Sequence, residues 1–325
     1  MHSIQRRVVL AGLLAAPALR HASAQEAWPA RPVQIINPWV AGGSSDTMAR
    51  LFAQRFSQVF GQQFVVDNRA GASGTIGHAF VSRARPDGYT MLMTTISASA
   101  VVPPLMNPPP FDIYRDQVAV VHAATVPLVA VVPPNAPSAT MRDLIERARR
   151  EPGVLNYSSS GVATQQHLAA ELLSSAAGVR MTHVPFRGTG QAVNEILAGR
   201  IDLAIDTLPT YLPHIRAGRV RALAVTLPQR VEWLPDVPTV AELGFPGFDA
   251  NVWYMLMGPP GLPTPIAERW VAAVNKAFAD PTIRQRVRDA GFLIGGGSQA
   301  DAAAMLKNDA ERYAALVRGA NIKLD

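Results

Sequence analysis

The sequence predicts an α/β fold in two lobes, each built on a mainly parallel sheet flanked by helices, and three observations carry that reading. The chain has 325 residues, longer than the ~250 that a single hydrophobic core usually serves. Strand-like and helix-like segments alternate along most of it, the pattern of a parallel-rich sheet with helices on both faces. Proline clusters at Val132-Pro133-Pro134 and Gly258-Pro259-Pro260 mark two places where the chain passes between compact units. Hydrophobic residues make up 48% and charged residues only 17%, a balance that excludes a disordered chain.

The elements follow in order. Val33–Asn37 reads as a buried strand ended by Pro38, and a Gly-rich turn leads to Met48, Leu51, Phe52, Phe56, Val59 and Phe60 at helical spacing. Gly61 stands where a helix-ending glycine belongs. Next come the strand Phe64–Val66, a second Gly-rich turn, a short helix near Ile76–Ala84 and, after Pro86-Asp87-Gly88, the strand Tyr89–Met93. The alternation continues with strands at Leu128–Val132, Leu155–Ser158, Met181–Val184 and Ile201–Ile205. Helices at Met141–Arg150, Gln165–Ala177 and Ala192–Ala198 separate them. The last 80 or so residues break this rhythm with one strand, Val252–Met257, followed by three helices. Those helices start near Pro265, Pro281 and Gln299, each behind a capping residue: Thr264, Asp280 and Ser298. A lone late strand has no sheet of its own, so it is expected to return to the first. Lobe one then comprises residues 25–126 and 250–325, and lobe two residues 127–249.

The N-terminus reads as a targeting segment. Arg6-Arg7 precedes the apolar run Val8–Ala16, and Ala22-Ser23-Ala24 is the small-x-small pattern of a signal-peptidase site, which places cleavage before Gln25. The run is well short of the ~20 residues a membrane anchor needs. The paired arginines keep twin-arginine export open beside the general secretory route. Without Arg6, Arg7 and Arg20 the formal charge falls from +6 to +3, and no basic stripe marks a nucleic-acid binder. With no cysteine, the exported chain carries neither disulfide nor lipid anchor.

Catalytic classes find little support. The seven histidines form no HExxH, so no metal or other cofactor is expected. Ser73 and Ser160 lack the flanking glycines of a nucleophile elbow. Gly71-Ala72-Ser73-Gly74-Thr75-Ile76-Gly77 has the wrong spacing for a dinucleotide loop. What stands out instead is the chemistry of helix starts, where glycine admits close backbone approach and unpaired N–H groups favour an anion. Gly42-Gly43-Ser44-Ser45-Asp46 is one such turn, with Ser44 and Ser45 either capping the helix or donating to a ligand. Ser158–Thr164 and Pro185-Phe186-Arg187-Gly188-Thr189-Gly190 are two more. Trp39 is expected to line the pocket, His183 to be structural, His167 to pack, cap or touch ligand, and Trp253 and Trp270 to lie in the core.

Taken together, Pro38–Asp46 with Ala49-Arg50, Val65–Gly74, Pro86–Thr90, His183–Gly188, Gly218–Val225 and Leu234–Gly244 resemble the periplasmic solute receptors of tripartite tricarboxylate transporters, the Bug/TctC family. The resemblance runs over nearly the whole exported chain. It implies a two-lobed flytrap that holds a small organic acid between its lobes and delivers it to a membrane permease. A monomer in the periplasm is expected, with no nucleic-acid partner. Departures from the family pattern are Ala41 for a proline, Gly161-Val162-Ala163-Thr164 for Gly-Asn-Gly-Ser, and Phe186 for a tyrosine. They favour a solute with an apolar or aromatic portion. The expected ligand-binding residues are Trp39, Gly43, Ser44, Ser45, Asp46 and Ser97 from lobe one, and Ser160, Gly161, Thr164, Phe186, Arg187, Gly188 and Asp206 from lobe two. Asp206 is expected to accept from a ligand hydroxyl or amine, or to orient Arg187. A ligand-dependent sensor and an exported enzyme are the alternatives to a transport receptor.

Overall fold

A computed structural model describes residues 28–319; the predicted signal peptide and cleavage site lie outside them. The strands are β1 (Val33–Asn37), β2 (Phe64–Asn68), β3 (Thr90–Thr95), β4 (Val118–Val132), β5 (Asn156–Ser159), β6 (Thr182–Pro185), β7 (Leu203–Thr207), β8 (Arg221–Val225), β9 (Asn251–Gly258) and β10 (Leu293–Gly296). The helices are α1 (Ser44–Phe60), α2 (Thr75–Val81), α3 (Ile113–Asp116), α4 (Met141–Arg150), α5 (Gln165–Ala177), α6 (Thr189–Leu197), α7 (Leu208–Arg216), α8 (Thr264–Ala279), α9 (Pro281–Asp289) and α10 (Gln299–Gly319).

The strands run β2-β1-β3-β9-β4-β7-β5-β6, with β8 and β10 also paired to β4. β1 is parallel to β2 and β3, and β5 to β6 and β7. These neighbours are joined through helices, the connection parallel strands require. β9 returns antiparallel between β3 and β4, and β4 is antiparallel to β7, β8 and β10. The two-lobed α/β architecture is therefore carried by a mixed sheet. β4 is the shared member: its residues Val118–Pro127 pair with β9, and Leu128–Thr207 begins its ladder with β7.

The sequence picks out only the last third of β4. Its first part, Val118–Thr125, mixes small residues with His122 and bulges twice against β9, which blurs the alternation a strand normally shows. α7 is also hidden in the sequence, because Pro209 and Pro213 read as loop residues. Pro209 sits in the first turn, where its missing N–H removes no helical bond. At the termini, Gly61 ends α1 in the left-handed conformation at φ 66°. Asp280 accepts from the Thr282 N–H, and Ser298 and Asp301 bond reciprocally before α10. Thr264 does not cap α8: the extended residue before the helix is Pro263, and Thr264 is already helical.

One aromatic cluster fixes α1 and α8 over the first part of the sheet. Phe52 and Phe56 stack at 5.2 Å, and Phe56 meets Trp270 edge-on at 5.5 Å. Trp253 is buried beneath α10 and donates to Asp309 Oδ2 at 2.7 Å. Burying rings of this size dominates core energetics. The C-terminal ends of β1, β3 and β5 meet at one cleft, where Trp39, Thr95, Ser97 and Ser160 come together.

Candidate functional site

At those strand ends a narrow cavity of about 30 Å³ is enclosed by both lobes, room for no more than a few waters. Its first wall is the β1–α1 turn. Gly43 is the N-cap of α1 in extended conformation, with no side-chain cap, and the first N–H groups of a helix have no intrahelical acceptor. The two serines neither cap α1 nor keep free hydroxyls. Ser44 Oγ lies 2.9 Å from Thr207 Oγ1 and 2.7 Å from Tyr254 Oη, while Ser45 Oγ donates to Asn37 Oδ1 at 2.7 Å. Backbone N–H is what this turn offers.

Asp46 faces away from the cavity. Its carboxylate accepts from Gly42 N, Arg50 Nε and Asn68 Nδ2 at 2.9–3.1 Å. Burial opposes its charge, but the Arg50 bond followed by the Gly42 and Asn68 bonds holds it below the usual carboxylate range. Asp46 thus braces the turn. Asn68 also donates to Trp39 O at 3.0 Å, fixing the main chain that carries the indole. Trp39 Nε1 is sealed without an acceptor. Ser97, 2% exposed, completes this wall beside Thr95, with their hydroxyls 3.2 Å apart.

The opposite wall comes from lobe two. Ser160 lines the cavity with Gln165, Gln166 and Thr189. Gly161 adopts φ 139° and Ala163 φ 58°, so the loop folds tightly over the start of α5. Thr164 is fully buried and returns its hydroxyl to Gly161 O at 2.7 Å, out of reach of the cavity. Behind the loop the imidazoles of His167 and His183 stack at 3.9 Å. His167 Nδ1 accepts from Ala163 N at 3.0 Å, and His183 Nε2 lies 2.6 Å from Ser159 Oγ. Burial lowers His167 to about 3, helped by His183, and lowers His183 to about 4. Both act as neutral props of the loop.

A second, open cavity of about 620 Å³ adjoins the first and shares Trp39, Val40 and Ser160 with it. Gly161, Phe186 and Arg187 line this one. Gly188 lies against Val40 of the other lobe: at φ 125°, an added Cβ would come 2.7 Å from Val40 Cγ2. Ser73 Oγ donates across the cleft to Val162 O at 3.1 Å. These contacts and the Ser44–Thr207 bond hold the lobes together in a closed arrangement.

Asp206 lines neither cavity and does not orient Arg187, whose backbone N–H instead bonds Gln191. It is fully buried, and burial pushes it up to about 6 against the hydrogen bonds it accepts. The structure thus gathers Trp39, Gly43, Ser44, Ser45, Ser97 and Ser160 around the inner cavity, and Gly161, Phe186 and Arg187 around the outer one. Sequence reading missed Gln165, Gln166, Thr189, Val252 and Tyr254. The alternation of Val252 with Tyr254 along β9 was the available signal for that pair. Among the described residues no Asp, Glu, Lys, Arg or His lines the inner cavity, and no cluster could hold a metal ion.

Comparison with known proteins gives the family. The model of the tripartite tricarboxylate transporter family receptor matches residues 48–322. A protein encoded in the tcbD-tcbE intergenic region of a Pseudomonas species is 40% identical over 97% of this chain and 94% of its own. A solved R. palustris protein with adipate is 34% identical, with a TM-score of 0.89 over 91% of this chain and 99% of its own. MatC from Rhodopseudomonas palustris, solved with bound malate, is 28% identical, with a TM-score of 0.84 over 89% of this chain and 99% of its own. Matched along most of its length by both the family model and these relatives, the chain belongs to the receptor family of the tripartite tricarboxylate transporters.

Proposed function

We propose that this protein is an exported receptor that captures a small organic acid between its lobes and hands it to a two-component membrane permease. The observation that carries this reading is the start of α1, a buried helix N-terminus whose serine hydroxyls are committed elsewhere and whose first residues, Gly43, Ser44 and Ser45, line a cavity without formal charge. Such a terminus stabilises a carboxylate by up to ~2 kcal/mol, and each charge-assisted hydrogen bond adds ~1.5–3 kcal/mol. The outer cavity, between Trp39, Phe186 and Arg187, supplies room for an apolar or aromatic portion that the inner one lacks. No helix among the described residues is long and apolar enough to cross a membrane, and we place cleavage of the signal peptide after Ala24. We divide it as residues 25–126 with 250–325, and 127–249, a division supported by β9 lying between β3 and β4.

Calorimetry with carboxylic acids and their amides tests the anion site. The acid is expected to bind and the amide to bind at least about tenfold more weakly. Gly43→Val should weaken the acid sharply while the fold survives, since an added Cβ at Gly43 meets only Val40 O at 3.9 Å. Equal binding of acid and amide, or normal binding by Gly43→Val, would refute the assignment.

A further inference from the structure

A chain of hydroxyls crosses the lobe boundary. Ser44 Oγ of lobe one donates to Thr207 Oγ1 of lobe two at 2.9 Å and lies 2.7 Å from Tyr254 Oη, while Thr207 Oγ1 lies 3.0 Å from Thr210 Oγ1. A hydroxyl has a single hydrogen. With the Ser44 hydrogen given to Thr207, Tyr254 donates to Ser44, and the Thr207 hydrogen is left for Thr210. The chain thus runs head to tail from Tyr254, on the inner cavity, to Thr210, on a groove that both lobes line beside Val40. Bonds ordered in this way polarise one another. Ser44, Thr207 and Tyr254 are each no more than 4% exposed, so water does not compete for the link.

Thr207 makes this contact in place of a local one. It is the N-cap of α7, where a threonine hydroxyl ordinarily accepts from its own helix, yet it makes no such bond. Ser44 likewise stands in the first turn of α1 and caps nothing. Asp206 holds Thr207 in place instead. Its Oδ1 accepts from Thr207 N at 2.6 Å, and also from Gln166 Nε2 at 2.9 Å and Thr189 Oγ1 at 3.1 Å, two side chains of the cavity wall. The framework that builds lobe two's share of the cavity therefore also sets the approach of Thr207 to Ser44.

We propose that Thr207 is a positioning residue whose bond to Ser44 latches the closed lobes and sets how long a solute is kept. The inference rests on the receptor reading above and adds a residence time to it. The bond joins residues 163 positions apart on opposite lobes, so it is lost when the lobes separate. In the open arrangement water takes its place on both hydroxyls. Removing one partner thus penalises the closed arrangement alone, where the other hydroxyl is left buried and unpaired. A solute enters the open cleft before the bond exists, so association is spared and dissociation carries the effect.

Stopped-flow tryptophan fluorescence, with Trp39 on both cavities as a reporter, follows the binding of succinate, adipate and phenylacetate to the exported chain. In Thr207→Val the dissociation rate constant should rise about fivefold or more, with the association rate constant within about twofold of wild type. Thr207→Ser keeps the hydroxyl and should restore both, which a general weakening of the fold would not allow. In a double-mutant cycle, Ser44→Ala should speed dissociation less in the Thr207→Val background than in wild type, because the two substitutions remove one shared bond. An unchanged dissociation rate in Thr207→Val, additive effects in the cycle, or a loss carried by association would overturn the proposal. If none of the three acids binds wild type, the organic-acid reading falls, and the latch is decided without a solute. Single-molecule energy transfer between one engineered cysteine in each lobe, the chain having none of its own, then measures the dwell time in the closed arrangement. That dwell should shorten about fivefold in Thr207→Val and return in Thr207→Ser; equal dwell times in wild type and Thr207→Val would sink the latch.

Discussion

Removing the stacked imidazoles of His167 and His183 should make the protein markedly less sensitive to acid. Both are held below their ordinary 6.5, at about 3 and about 4. The folded state therefore binds fewer protons than the unfolded chain as pH falls below 6.5, so stability is full above that value and lost towards the folded pKa values. At pH 5 each neutral buried imidazole forgoes a protonation worth about 2 kcal/mol to the unfolded chain. The sum of about 4 kcal/mol reduces to about 3, because His183 is only half-buried and partly screened by solvent. Asp206 acts in the opposite sense. Its raised pKa returns about 1 kcal/mol between pH 7.5 and 5, since its folded-state proton is bound more tightly than in the unfolded chain. His78, buried and lowered to about 3, adds a further loss. These two groups are common to wild type and variant, so they cancel in the comparison. The variant is His167→Asn with His183→Gln, which keeps an acceptor for the Ala163 N–H and a partner for Ser159. Urea unfolding at pH 7.5 and 5.0 measures the loss in each protein. Wild type should lose about 3 kcal/mol more than the variant, whatever the variant's stability at pH 7.5. Equal losses would refute the account of the pair as neutral props.

Closure offers a second test: X-ray scattering should show a smaller radius of gyration with a bound acid, and Gly188→Ala should prevent that compaction and weaken the acid about tenfold or more, because its Cβ meets Val40 across the cleft. Gly178→Ala is the control: φ there is also positive, at 61°, but the surroundings are open, so stability should fall while affinity stays. Arg187→Ala should weaken acids with a second anionic group several-fold and leave short monocarboxylates unchanged, because Arg187 lines the outer cavity alone. Calorimetry with succinate and propionate would show equal losses if that placement is wrong.

Much of the fold was legible because local chemistry agreed with it: the apolar spacing from Met48 to Phe60, the helix-ending Gly61 and the Ser298–Asp301 exchange are each visible within a few residues. β4 was only partly legible, since its bulged first part owes its strand state to β9, more than 120 residues further along. The turns that line the two cavities were legible too, since glycines and hydroxyls gather where strands run into helices. The duties of those hydroxyls were not. Ser44 is engaged by Thr207 and Tyr254, 163 and 210 residues away, and no spacing rule anticipates such a pairing. Asp206 was expected among the ligand contacts, yet it lines neither cavity. Its role under Gln166 and Thr189 depends on how three separate elements converge.

The fifteen residues of β4 also bear on how this molecule can be taken apart. The strand gives its first ten positions to one ladder and its last five to another, without a turn between them. Neither half of the protein is whole without its share of that strand, so a gene cut within it yields two fragments with exposed edges and open cores. Recombinant halves made this way should be recovered as inclusion bodies. The stretch from Leu227 to Asp249 offers a gentler place to divide the chain, because it lies beyond β8 and before β9 begins. Fragments split there keep β4 intact, and co-expression should let them reassemble by complementation.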